Sequence, residues 1–154
     1  MRRFALPVLL GLTLSGVAYA AASVNIASMD VDGVRIRDLS CELSSGGGIM
    51  GGMVVASTLA GQKTALDACA PEGGAFKAEW TWTEGSTKVD KVTGVPEKGA
   101  ACVKEALGPM QSASTGTCTA VVLIGPNEVA EAHYKTLKGE PATPPDEPHE
   151  APAE

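Results

Sequence analysis

Phe76-Lys77-Ala78-Glu79-Trp80-Thr81-Trp82-Thr83 alternates apolar and polar residues without a break. Phe76, Ala78, Trp80 and Trp82 share one parity, and Lys77, Glu79, Thr81 and Thr83 the other. That is the period of a half-buried β-strand. Past residue 20 the chain holds four aromatic residues, Phe76, Trp80, Trp82 and Tyr134, and three of them lie on this one face. A core so poor in large side chains must form around them, so Phe76, Trp80 and Trp82 are its expected centre. Trp80, mid-strand, should matter most, and Trp82, nearer the turn, less.

Glu84-Gly85-Ser86 makes a tight connection from this strand to a second over residues 87–95. The pair predicts an antiparallel hairpin. Val89 and Val92 differ in parity, which places a bulge near Asp90. Upstream, a helix is expected over residues 54–70, with Leu59, Leu66 and Cys69 near one face and Pro71 as its stop. Five glycines within residues 46–52 predict a flexible loop before it. No Lys-Ser or Lys-Thr follows those glycines at the spacing of a phosphate-binding loop. Val34–Leu43 reads as the first strand: Val34 and Ile36, then Leu39, Cys41 and Leu43, change parity at Asp38, another bulge signal. Residues 21–33 read as an extended lead-in.

After the hairpin, Pro96-Glu97-Lys98-Gly99 breaks the sheet. A second helix follows over 100–107, with Cys102, Val103, Ala106 and Leu107 inward, closed by Gly108-Pro109. Thr117–Ile124 is β-branched and apolar on both parities, as in a central, covered strand. Residues 128–138 predict a short surface helix with Val129, His133 and Leu137 on one stripe. Strand, helix, hairpin, helix, strand predicts an α+β two-layer fold: a small antiparallel sheet with two helices on one face, in a single domain over residues 34–138.

The ends differ in character. Met1-Arg2-Arg3, the apolar run Phe4–Val17 and Ala18-Tyr19-Ala20 read as a secretory signal peptide over 1–20, cleaved after Ala20. No span of a membrane is then expected. Residues 139–154 carry five prolines and five acids and should be a disordered tail. The net charge of −6 becomes −8 without Arg2 and Arg3, and only −3 of that belongs to residues 21–138. With no basic patch, nucleic acid is not an expected partner.

Cys41, Cys69, Cys102 and Cys118 are four cysteines in a chain read as exported, which implies two disulfides with three possible pairings. No C-x-x-C occurs, so neither a redox dithiol nor a close zinc-ligand pair is indicated. His133 and His149 have no partner ligands at motif spacing, and no G-x-S-x-G occurs. No catalytic residue, metal or cofactor is therefore expected.

Leu66-Asp67-Ala68-Cys69 closes the first helix, a hairpin turns at Glu84-Gly85, and Ala101-Cys102-Val103-Lys104-Glu105-Ala106-Leu107 precedes the last strand. Over about residues 54–124 this resembles the TonB C-terminal fold, in the cysteine-bearing variant of myxobacterial gliding-motility and envelope proteins. In that variant one cysteine closes the first helix and another opens the second. The resemblance implies a Cys69–Cys102 bridge, a β-α-β-β-α-β order and a tendency to bind protein or envelope partners, through a sheet edge. The aromatic-Pro step usual before the last strand is replaced by Pro109-Met110 and a serine-rich loop, so energy transduction is not implied. Topology points to the same bridge, because both helices should lie on one side of the sheet. It also pairs Cys41 with Cys118 if the first and last strands are neighbours. The expected function is that of an exported, non-enzymatic envelope protein, periplasmic or secreted, binding a protein or surface component. The alternatives are a small secreted enzyme and a purely structural domain.

Overall fold

The computed structural model describes residues 21–44, 48–83 and 85–140. The elements are β1 (Ala22–Val31), β2 (Val34–Leu43), α1 (Gly48–Ala60), α2 (Lys63–Cys69), β3 (Gly74–Thr83), β4 (Ser86–Thr93), α3 (Glu97–Leu107), β5 (Gly116–Ile124) and α4 (Asn127–Leu137). The strands form one antiparallel sheet in the order β1-β2-β5-β3-β4. The α+β class holds, with a fifth strand and with helices on both faces. The expected leader over residues 1–20 and most of the expected tail lie outside the described residues.

The aromatic strand is β3. Phe76, Ala78, Trp80 and Trp82 are buried on its inner face, in one core with Ile36, Leu39, Cys41, Leu59, Leu66, Leu107, Cys118 and Val122. Trp80 and Trp82 meet edge to face, ring centroids 5.8 Å apart. Both are 1% exposed, so Trp82 is sealed as fully as Trp80 despite its place near the turn. Helices α1, α2 and α3 supply the lid of this core.

Both expected bulges are present. Glu79 pairs with Lys91 and Trp80 with Val89, which leaves Asp90 as the extra residue of β4. The β2–β5 register shifts between Arg37 and Ser40, with Asp38 at φ 51°. β5 is the middle strand, buried on both parities, as its composition requires.

Three expectations change. The lead-in is strand β1, paired with β2 along its length from Ala22↔Leu43 to Val31↔Val34. Its inward residues are Val24 and Ile26, then Met29 and Val31. That parity change sits opposite the one at Asp38, so the two strands stay in register through it. The expected helix over 54–70 is two helices, broken at Gly61-Gln62, and α1 begins inside the glycine run. Packing overrides propensity there. A β-carbon on Gly52 would stand 2.1 Å from Ile26 Cδ1, so glycine lets α1 lie close on β1. Finally, α4 buries Ala130 and half-buries Tyr134, while Val129 is exposed. His133 and Leu137 of the expected stripe do approach the sheet, over Gly74 and Gly94.

Candidate functional site: the open face of the sheet

The four cysteines form the two expected bridges. Cys41 and Cys118 are directly opposed on β2 and β5, with α-carbons 4.1 Å apart. Cys69 at the end of α2 joins Cys102 on α3, with α-carbons 5.6 Å apart. Neither bridge has a free thiol beside it among the described residues. They staple the core and mark an oxidising compartment.

The outer sheet face is divided in two. At one end, Ala130 and Tyr134 of α4 cover Ala75, Val121 and Leu123 in a second small core. Polar side chains of β2 fasten the helix. Arg35 donates to the Gly125 carbonyl at 2.7 Å and to Asn127 Oδ1. Arg37 bridges Asp30 at 3.0 Å and Glu131 at 3.2 Å. The bulge turns Asp38 toward α4, where its Oδ2 accepts from Tyr134 Oη at 2.9 Å and Lys138 Nζ at 3.3 Å. Burial, then the bond to Asp38, pushes the Tyr134 hydroxyl above its ordinary pKa.

Beyond α4 none of the described helices covers the face. Ser40 and Glu42 of β2, Thr117 and Thr119 of β5, Lys77, Glu79 and Thr81 of β3 and Asp90 of β4 line a groove of about 380 Å³. Lys77 and Thr119 also line a second hollow of about 300 Å³ that runs to Leu137 and Lys138 of α4. The two hollows share Lys77 and Thr119 and so lie side by side across the strands; together they are termed the trough. Backing this floor on the inner side are Trp80 and the Cys41–Cys118 bridge, so it is rigid.

The trough sets hydrogen-bonding groups within a surface that is more than half apolar. Lys77 Nζ lies 3.4 Å from Glu79, and Lys88 Nζ lies 2.7 Å from Asp90, which also accepts from Thr81 Oγ1 at 2.8 Å. The Lys88 bond first, then the Thr81 bond, holds the Asp90 carboxyl below its ordinary pKa. Thr119 Oγ1 is buried without a hydrogen-bond partner among the described residues. His133 is not among the lining residues, and His149 lies outside the described residues. Among the described residues no group of three His, Cys, Asp or Glu is placed to hold a metal ion, and no helix is long and apolar enough to cross a membrane.

Sequence reasoning placed Lys77, Glu79 and Thr81 on the polar side of β3. It did not bring them together with Ser40, Glu42, Thr117 and Thr119, because strand order is a long-range property. The parity of β2 and β5 held the signal for each strand separately. No protein-family model, curated protein or solved structure matches the chain. The TonB resemblance thus rests on the residues quoted for it.

Proposed function

We propose that this chain is an exported, non-enzymatic envelope module, and that it binds an extended segment of a protein partner across the open face of its sheet. The observation that carries this reading is the trough over β2, β5, β3 and β4. Its hydroxyls, carboxylates and two lysines, Lys77 and Lys138, set among apolar surface, suit the amides and side chains of an extended chain, and its stapled floor loses little entropy on binding. The sheet edge suggested by the TonB resemblance is less suited at β4. That strand carries Lys88, Lys91 and a bulge at Asp90, three devices that hinder strand addition. The leader reading and the two disulfides support export.

A photo-crosslinking residue at Thr117, tested in envelope preparations, should capture a discrete partner. The same residue at Asp67, on α2, should not. Glu42→Arg, opposite Thr117 on β2, should abolish the capture from position 117 at unchanged melting temperature. Equal labelling at positions 117 and 67, or capture indifferent to Glu42→Arg, would refute the site. An exported protein that still begins at Met1 by mass spectrometry would refute the leader reading.

A further inference from the structure

A different surface remains unexplained. On α1, Ile49 is 76% exposed, Met50 73%, Met53 50% and Val54 57%. Exposed apolar residues are ordinary singly, but these four are contiguous, on the order of 500 Å² of apolar surface. Their helix has no charged residue, and none occurs between Glu42 and Lys63. Met50 and Val54 also line a mainly apolar hollow of about 150 Å³ with Leu43, Val55 and Ser112.

This helix lies along β1, an outer strand of the sheet. β1 is ten residues long and has neither proline nor lysine. Its one charge, Asp30, is paired with Arg37. Edge strands are normally blocked by charge, proline or a bulge. β4, the other edge, carries two lysines and a bulge, whereas β1 has no proline and no unpaired charge, and its one irregularity is the parity change at Ala27-Ser28.

We propose that the occupant of this surface is a second copy of the chain, with β1 pairing antiparallel to its counterpart and the two α1 helices meeting above the seam. A two-fold axis normal to the sheet produces this arrangement. It reverses the strand direction yet keeps both α1 helices on the same face. An isologous contact sets residues near the axis against their own copies, so charge there repels itself. The uncharged α1 and the neutralised β1 meet that condition, which a contact with a different protein would not impose. Ile49 and Met53 supply the seam side of the patch, while Met50 and Val54 line the hollow against Leu43 and Ser112, so the contact falls at the small end of the range for specific interfaces. A lipid surface suits the patch less well. Membrane-surface helices usually carry lysine or arginine on their polar side, and α1 has none.

The test is sedimentation of the full exported chain with its disulfides intact. A dimer is expected at about 10–100 µM, a range typical of a modest interface. Ile49→Lys with Met53→Lys should weaken it at least tenfold, as should Ala27→Lys on the exposed side of β1. Near-UV circular dichroism should be unchanged in both. Amide exchange along β1 should slow as protein concentration rises. A monomer throughout that range would overturn the proposal, as would a dimer indifferent to both variants. Co-sedimentation of the monomer with phosphatidylcholine–phosphatidylglycerol vesicles, lost in Ile49→Lys with Met53→Lys, would assign the patch to lipid instead.

Discussion

Trp80 and Trp82 are sealed in the core, yet their indole N–H groups find no acceptor among the described residues. Their contribution is therefore shape and area, opposed by an unmet donor. Trp80→Ala should cost roughly 3–5 kcal/mol, and Trp82→Ala about as much. Trp80→Phe should cost much less than either alanine change, because it removes the unpaired donor and keeps a ring. Thermal melting decides among these. Trp80→Phe as harmful as Trp80→Ala would mean that the indole N–H is satisfied in solution. Asp90 tests the surface differently. Its carboxyl is held low by Lys88, so in principle it adds stability above the unfolded pKa, which fades as pH falls through the folded value. Being fully exposed, the pair should add almost nothing measurable to stability. Lys88→Ala should instead move the Asp90 titration upward toward an ordinary aspartate, followed by NMR. An unchanged midpoint would show that the pair does not form in solution.

At the level of elements, the bulge in β2 and the placement of α4 are one arrangement. Asp38 adopts a left-handed backbone, which aspartate tolerates better than most residues, and uses it to meet Tyr134 and Lys138. Asp38→Gly should relieve the backbone but lose both contacts, while Asp38→Ala loses the contacts and keeps the strain. Alanine should therefore be the worse by about 1 kcal/mol, measured by denaturant unfolding. Equal stabilities would separate the bulge from the left-handed conformation. The parity change at Asp38 was visible in the sequence, but its purpose was not, since nothing local says that a helix ninety-odd residues later will sit there. In α4 the same limit applies. Val129, His133 and Leu137 are a fair helical stripe, yet the sheet accepts small Ala130 and amphipathic Tyr134, a choice made by the space above Ala75, Val121 and Leu123.

For the molecule as a whole, the hairpin, both bulges, the middle strand and the Cys41–Cys118 pair were legible because each follows from short-range period or from strand adjacency, and Cys69–Cys102 because both helices were expected on one side of the sheet. β1 was missed although Val24, Ile26, Met29 and Val31 carry a pattern, because the pattern changes parity halfway. α1 was missed because glycine weakens an isolated helix and only the approach to Val24 and Ile26 shows its use. The two bridges offer the global test. Their sequence separations are 77 and 33 residues. By the chain-entropy model Cys41–Cys118 should stabilise by about 4.5 kcal/mol and Cys69–Cys102 by about 3.7. Replacing Cys41 and Cys118 together by alanine should accordingly lower the melting temperature more than replacing Cys69 and Cys102. Peptide mapping without reduction should recover only these two linkages, and a fragment joining Cys41 to Cys69 would contradict the strand order itself.

The Cys41–Cys118 bridge also decides how the protein would respond to being pulled by its ends. Tension can peel β1 and most of β2 from one side, and α4 and most of β5 from the other. It then reaches a covalent crosslink. Everything between the two cysteines, the tryptophan core and the second bridge included, lies off the line of force. Of the described chain only residues 21–41 and 118–140 can be drawn out, 21 and 23 residues respectively. At about 3.5 Å each that is on the order of 150 Å of contour length, from which the native separation of the ends is subtracted. Held at both ends, the chain would thus lengthen by a fixed amount and stop, and only a reductant would release the rest.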